Sequence, residues 1–134
     1  MATTSTHRLK RLQGAVDRLR KRAEATLLEL RAHAARLERE RDALYAATSG
    51  VGALSFYVDL LARRMAALEG ALSQNQAAQE TAVKAVREQE QRLKMIERLS
   101  VAAEVQERRE EERKALEDWL DTVRQASEKL HGPP

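Results

Sequence analysis

The side chains that most often carry chemistry are few in this chain and widely spaced. The histidines are His7, His33 and His131, so no two of them stand at a spacing that predicts a metal site or a catalytic base. There is no cysteine, which excludes a thiol nucleophile, a disulfide framework and a thiolate metal site. The acidic run Glu110-Glu111-Glu112 would lie on a solvated helix without a pocket, where carboxylates are poorly placed for acid–base catalysis. We therefore expect no enzyme activity and no cofactor, and a protein that acts by binding.

The composition predicts long helices. Ala, Leu, Glu, Lys and Arg make up about 60% of the 134 residues, above the roughly 50% that is typical of coiled coils. With only 3% aromatic residues, the chain has too little side-chain bulk for a thick globular core. The absence of cysteine fits a reducing compartment, the polar start lacks the apolar core of a signal peptide, and no apolar run approaches the roughly 18 residues of a membrane helix. We expect a cytoplasmic protein.

Two heptad patterns flank one turn signal. Gly50 and Gly52 mark the turn, and proline occurs only at 133 and 134, so nothing else interrupts a helix by ring clash. Apolar residues recur every seven positions on both sides of the turn, as in coiled coils. Before the turn the columns are Leu9, Val16, Ala23, Leu30, Leu37, Leu44 and Leu12, Leu19, Thr26, His33, Glu40, with Leu27 and Ala34 widening the stripe. After the turn they are Val58, Met65, Leu72, Gln79, Val86, Leu93 and Leu61, Leu68, Asn75, Ala82, Gln89, Ile96.

The predicted fold is all-α: an antiparallel two-helix coiled-coil hairpin whose second helix is longer than the first. Within one domain, we expect a disordered start (1–6), a helix (7–47), a turn (48–54), a helix (55–130) and a tail (131–134). Folding the chain about the turn places polar Thr26 opposite polar Asn75, a layer that would fix the alignment of the helices.

The second helix is predicted to extend past the first. In this register the start of the first helix lies opposite about residue 96, so about 34 residues of the second helix have no partner within the chain. Beyond the charged run 106–114, this extension carries a new apolar stripe of Leu116, Leu120, Val123 and Leu130, with Trp119 beside it. The phase of the stripe does not continue the earlier heptad, which predicts a separate contact surface.

Charged and aromatic residues concentrate at opposite ends of the hairpin. Residues 8–22 hold seven basic residues and one acidic residue. Such a segment could bind a nucleic acid or a membrane surface. However, the segment contains no aromatic residue for stacking on bases, and its apolar column is expected to pack on the second helix. We therefore expect these basic residues to lie on a solvated helix face. Tyr45, Phe56 and Tyr57 flank the turn, either as a recognition surface or as a cap over the last coiled-coil layer. Trp119 is either an anchor for a partner or the widest member of its stripe.

Two stretches of the second helix carry a family resemblance. The segment 85–99, AVREQEQRLKMIERL, is followed by Arg108-Arg109-Glu110-Glu111-Glu112 and then by Leu116-Glu117-Asp118-Trp119. Together with a shorter basic first helix and an aromatic tip, this pattern resembles the flagellar export protein FliJ family. The similarity covers most of residues 8–125.

The resemblance implies a stalk protein of the flagellar type III export apparatus, similar in fold to the central stalk subunit of rotary ATP synthases. Such a protein binds the hexameric export ATPase, the export gate membrane protein and export chaperones, and lies in the cytoplasm at the periphery of the inner membrane. We would expect it to be monomeric alone, without a nucleic-acid partner. By this analogy, the open end enters the ATPase ring and the tip meets the gate. The candidate ring contacts are Arg8, Arg11, Arg18, Arg22, Leu116, Trp119, Leu120 and Val123, and the candidate gate contacts are Tyr45, Phe56, Tyr57, Leu60 and Arg64.

Two alternatives remain open from the sequence. The related stalk protein of virulence type III secretion shares this length and architecture. The chain could also be a generic structural coiled coil that dimerises through residues 116–130. A stable dimer in solution would favour that second alternative over a stalk.

Overall fold

A computed structural model of the chain describes residues 2–49 and 55–130, with the side chains of 5–48 and 57–130. Helix α1 spans Ala2–Ser49 and helix α2 spans Ser55–Leu130. The two helices pack against each other as the predicted all-α antiparallel hairpin, and α2 is the longer. Residues 50–54 of the predicted turn and the predicted tail 131–134 lie outside the described residues. Over the part that is described, neither helix has a stretch both apolar and long enough to cross a lipid bilayer.

Both ends of α1 extend further than the sequence predicts. The helix begins at Ala2 rather than at residue 7, so residues 2–6, expected to be disordered, are helical. No proline or glycine stands in this segment, and the Thr6 hydroxyl donates a hydrogen bond of 2.6 Å to the Glu107 carboxylate of α2, which holds the first turns in place. At the other end, the Thr48 hydroxyl donates to the Tyr45 carbonyl, and the helix continues to Ser49 instead of ending at residue 47.

Two compact units divide the chain: Val16–Arg92, and Met1–Ala15 with Leu93–Pro134. In the first unit, a narrow seam between the helices buries Val16, Leu37, Leu68 and Ala82 together with the polar side chain of Asn75. All of these are positions that the heptad pattern predicts to be inward. The α2 columns are buried or half-buried from Leu61 through Gln89, as predicted, whereas Val58 beside the turn is exposed.

The second inward column of α1 differs from the prediction. The structure places it three residues before the Leu9–Leu44 column rather than three residues after it. Its members are half-buried, whereas the predicted members are exposed. The observed members in the first unit are Arg20, Leu27, Ala34 and Arg41, and the exposed ones are Leu19, Thr26, His33 and Glu40. Arginine can occupy such positions because its aliphatic stem packs against apolar surface while its charged head reaches water.

The register of the two helices also differs, by about one helical turn. The Asn75 Nδ2 atom donates to the Leu30 carbonyl at 3.0 Å, and Gln79 Nε2 donates to Asn75 Oδ1 at 2.6 Å. Thr26, the predicted partner of Asn75, instead donates to the Arg22 carbonyl of its own helix. Asn75 is thus the polar layer that the sequence predicts, but it satisfies its amide on the α1 backbone rather than on a polar side chain.

In the second unit, the contact between the helices includes half-buried Leu9, buried Ile96 and the bond between Thr6 and Glu107. Every residue of α2 beyond that bond is exposed. We call residues 108–130 the overhang; at 1.5 Å per residue they form about 35 Å of helix, which no other described part of the chain faces. The overhang is shorter than predicted because α1 starts earlier and the register is shifted.

Candidate interaction surfaces

The last layers of the seam before the turn open into an apolar groove. Tyr45 and Thr48 of α1 line it with Tyr57, Val58, Leu61, Ala62 and Met65 of α2, around a volume of about 270 Å³. We call this the tyrosine groove. Its two phenols are half exposed, so each offers an apolar ring and a polar hydroxyl to a ligand. Such a lining, apolar with a few convergent polar groups, suits an apolar side chain of a binding partner.

A second apolar groove is lined in part by two arginines. Leu44, Leu60, Leu61 and Ala67 line it together with Arg63 and Arg64, around about 540 Å³. The lining is almost entirely apolar, so the two arginines contribute their aliphatic stems. The Arg64 guanidinium also donates to the Glu40 carboxylate across the helix pair. We call this the arginine groove.

The candidate gate contacts are therefore distributed over both grooves. Tyr45 and Tyr57 line the tyrosine groove, whereas Leu60 and Arg64 line the arginine groove. Leu61 contributes to both. Phe56 is part of α2, but its side chain lies outside the described residues.

The sequence missed most of the tyrosine groove. The lining includes Thr48 and Ala62, which the heptad pattern did not single out. It also includes Val58 and Met65, which the heptad pattern assigned to the interior of the seam. A seam position next to a turn lacks a further layer on one side, so its side chain becomes part of an open groove. The proximity of both residues to Gly50 and Gly52 was the available signal.

The overhang carries a continuous apolar stripe on one helix face. Leu116, Trp119, Leu120 and Val123 stand at i, i+3, i+4 and i+7, and Leu130 follows one heptad later. We call these five residues the C-terminal stripe; their side chains are 45% to 84% exposed. Leu116 follows the last seam contact by nine residues, and at about 100° per residue this turns the stripe to the side of α2 opposite the seam.

A basic face lies on α1 in the same unit. Arg8, Arg11, Leu12 and Ala15 also stand at i, i+3, i+4 and i+7, and all are exposed. We call them the N-terminal basic face. Leu12 was predicted to face α2 and is instead half exposed here.

The other two candidate ring arginines belong to the first unit. Arg18 and Arg22 are exposed there. Asp17 beside them bonds to Arg20 at 2.7 Å and to Lys21 at 3.2 Å. The hydrogen bond from Lys21, together with the positive charges of Lys21 and Arg20, lowers the pKa of Asp17 below its usual 3.8, and desolvation opposes this only in part. The acidic side chain in this basic segment is therefore already engaged.

The two histidines among the described side chains lie in different units. His7 and His33 are both exposed, and His131 lies outside the described residues. Across residues whose placement is described, no three His, Asp or Glu side chains come together as a set of metal ligands.

Comparison with known proteins identifies no relative of this chain. No protein-family model, curated protein or solved structure matches the chain. A functional proposal therefore draws on the sequence pattern and on the surfaces described above.

Proposed function

We propose that this chain is a non-enzymatic stalk and adaptor of the flagellar type III protein export apparatus. In this role it binds the hexameric export ATPase with its open end, and the export gate membrane protein with the residues beside the turn. It also binds export chaperones, and it works in the cytoplasm at the periphery of the inner membrane through these partners. The observation that carries the proposal is the overhang: α2 passes the start of α1 and presents the C-terminal stripe on its outer side.

The overhang has the form of a helical ligand. Apolar anchors at i, i+3, i+4 and i+7 are the pattern by which an amphipathic helix enters a groove on another protein. Tryptophan is among the residues that most often dominate binding energy at interfaces, and Trp119 stands near the centre of the stripe. Because the stripe turns away from the seam, α1 cannot cover it, and a partner outside the hairpin is required to remove it from water.

The residues beside the turn support a second, separate partner. Both grooves expose apolar surface, and the lining of the tyrosine groove also includes the hydroxyl-bearing residues Tyr45, Thr48 and Tyr57. Neither groove shares a residue with the C-terminal stripe. A protein with two distinct surfaces can hold two partners at once, as an adaptor must.

Two variants separate the two assignments. Replacing Leu116, Trp119 and Val123 together by serine should abolish recovery of the export ATPase in a pulldown with mass-spectrometric readout, while binding of the export gate persists. Replacing Tyr45 and Tyr57 together by alanine should have the opposite effect. Phe56→Ala extends the second variant to the full aromatic set.

The matched control is Leu28→Ala. Leu28 is also an exposed apolar side chain, but it belongs neither to the C-terminal stripe nor to the grooves. It should bind both partners as the unaltered chain does. If the two variants exchange their effects, the ends have been assigned in reverse. Recovery of neither ATPase nor gate by the unaltered chain contradicts the proposal as a whole.

A structural dimerisation module is the second candidate, and one observation favours it. With Ala126 included, residues 116, 119, 123, 126 and 130 follow the alternating three- and four-residue spacing of a coiled-coil seam. Such a module would form a stable dimer through paired stripes and would bind no ATPase. A stalk from a virulence type III secretion system would instead recover the ATPase of that system in the same pulldown.

A further inference from the structure

Exposed apolar side chains on α2 begin well before the overhang. Starting at Met95, alternating steps of three and four residues lead along one face of the helix to Leu130, and every side chain on this line is exposed. Val105 follows buried Ile96 by nine residues, so at about 100° per residue the line runs along the side of α2 opposite the seam. We call this line the outer face. Its spacing is that of a coiled-coil seam, and no other described part of the chain covers it.

The outer face is largely apolar on both sides of a charged centre. Met95, Ala102 and Val105 precede the centre, and the C-terminal stripe follows it. Arg109 and Glu112 are neighbours on the line at its centre. None of the ion pairs between described side chains involves either of them. A partner that covers the outer face must therefore supply a carboxylate for Arg109 and a cation for Glu112.

We propose that a second copy of this chain covers the outer face in the isolated protein. The two α2 helices pair antiparallel about a two-fold axis at the level of residues 110 and 111. This axis places Arg109 of each copy beside Glu112 of the other, and Val105 of each copy beside Leu116 of the other. The two halves of the contact are equivalent by symmetry, as in the isologous interfaces of closed dimers.

Side-chain size fits the same alignment. Trp119 of one copy meets Ala102 of the other, and a large side chain opposite a small one fills a layer between two helices without a void. Arg98 meets Val123, where its aliphatic stem packs while its charged head reaches water. The remaining layers pair apolar side chains or the opposite charges at the centre.

Charge favours this alignment over two other arrangements of the same helices. A parallel pair would place Arg109 against Arg109 and Glu112 against Glu112, and like charges across an interface are destabilising. Pairing of the two C-terminal stripes with each other would leave Arg109 and Glu112 outside the contact. The antiparallel pair centred between these two residues matches each charge with its opposite.

Area favours the whole outer face over the C-terminal stripe alone. The positions from 95 to 130 span about 54 Å of helix, and a helix is about 10–12 Å wide, so each copy covers about 600 Å² of the other. The total of about 1,200 Å² lies at the lower limit of stable interfaces, roughly 1,200–2,000 Å². Residues 116–130 alone span about 22 Å and would give less than half of that area. We therefore expect a reversible dimer.

The dimer has a consequence that rests on the proposed function. It covers the candidate ring contacts Leu116, Trp119 and Val123. If the open end enters an ATPase ring, self-association and ring binding exclude each other. The dimer would then be a form of the free protein from which the ring recruits single copies.

Charge exchange within the outer face tests the dimer directly. By sedimentation velocity at low salt, the unaltered full-length chain should change from monomer to dimer as its concentration rises. Arg109→Glu alone and Glu112→Arg alone should each dimerise more than about tenfold more weakly, because like charges then face each other at both symmetric contacts. An equimolar mixture of the two variants should recover the dimer, because both contacts of the heterodimer again pair opposite charges.

Trp119 supplies a second measurement on the same samples. It is the only tryptophan in the sequence, and its side chain is exposed in the single copy. The dimer removes the indole ring from water, so its fluorescence emission should shift to shorter wavelength over the concentration range in which the dimer forms.

The matched control carries Lys114→Glu and Glu128→Arg, which reverse exposed charges on the other side of α2, and should dimerise as the unaltered chain does. All substituted side chains are exposed, so far-UV circular dichroism should show unchanged helix content in every variant. The proposal is overturned if the unaltered chain stays monomeric throughout, or if the mixture of the two single variants fails to dimerise. It is also overturned if both single variants dimerise as strongly as the unaltered chain, which would indicate a parallel or stripe-to-stripe pair. This assay contains no ATPase, so its outcome is separate from that of the pulldown.

Discussion

The substitution Leu68→Ala probes the seam at its most deeply buried side chain. Leu68 is 2% exposed in the unit Val16–Arg92 and lies on the seam face of α2. Removing three carbons from this position leaves a void between the helices and forfeits their burial. Leu28→Ala is the matched control, because the same atoms are removed from a side chain that is 70% exposed.

The expected cost of Leu68→Ala is about 2–3 kcal/mol of unfolding free energy. At about 0.8 kcal/mol for each buried methylene, the transfer part alone is about 2.4 kcal/mol. A cavity term adds to this in large cores, but a two-helix seam is open at its sides and can collapse, so we expect only a small addition. Alanine is the better helix former by a few tenths of a kcal/mol, which offsets part of the loss. The same propensity term leaves Leu28→Ala neutral or slightly stabilising.

Urea unfolding followed by circular dichroism at 222 nm measures both variants under the same conditions. A loss of 2–3 kcal/mol changes the unfolding equilibrium constant by about 30- to 150-fold at 25 °C, and lowers the thermal midpoint by roughly 4 °C per kcal/mol for a chain of this length. The slope of unfolding free energy against urea should stay unchanged, since the surface exposed on unfolding is nearly the same. Equal effects from Leu68→Ala and Leu28→Ala would refute the reasoning, because the two positions would then be equally buried.

Three further results follow from the same structure. Val16→Asp should lower the unfolding free energy by more than about 3 kcal/mol because it buries an unpaired carboxylate, whereas Leu19→Asp should lower it by under about 1 kcal/mol. Similar thermal midpoints for the two variants would show that Leu19 is buried in the seam after all. Asp17 has a lowered pKa in the folded chain, so its contact with Lys21 stabilises the fold above pH 4 and is lost as the pH falls through the folded-state pKa. The thermal midpoints of Asp17→Asn and the unaltered chain should therefore differ at pH 6, and the difference should shrink as the pH falls below 4; a difference that does not change with pH would contradict this. Asn75→Leu should raise the thermal midpoint but broaden spin-label distances between the helices, because a buried polar layer sets register at a cost in stability; a single narrow distance would show that other layers set it.

Sequence periodicity predicts the architecture because it depends on few, local properties. The turn signal at Gly50 and Gly52, the absence of proline before 133 and the seven-residue repeats require two long helices in antiparallel contact. The α2 columns could be assigned because Leu61, Leu68, Ala82 and Ile96 fall into one column with a seven-residue period. The C-terminal stripe could likewise be found from spacing alone, since its phase breaks from the heptad before it.

The inward column of α1 could not be assigned in the same way. Leu12 and Leu19 are more hydrophobic than Arg20 and Arg41, so a pattern based on side-chain polarity selects the wrong pair. What decides the column is the position of the helix axis relative to α2. Arginine tolerates a half-buried site because its stem and its head have different solubilities, and that property does not appear in a hydrophobic repeat.

Sequence alone determined the helices, their antiparallel order, the greater length of the second and the polar character of the layer at Asn75, because these follow from local propensity and from a period of seven. Only the tertiary structure decided the register, which side of α1 faces inward, where the overhang begins and how the residues beside the turn divide into two grooves. Those features depend on how the surfaces of the two helices pack. Two registers that differ by one helical turn match the heptad pattern almost equally well. The bond from Asn75 to the Leu30 carbonyl marks the register that the structure adopts. Sequence could not reveal this register, because every residue of α1 carries a backbone carbonyl that could accept such a bond.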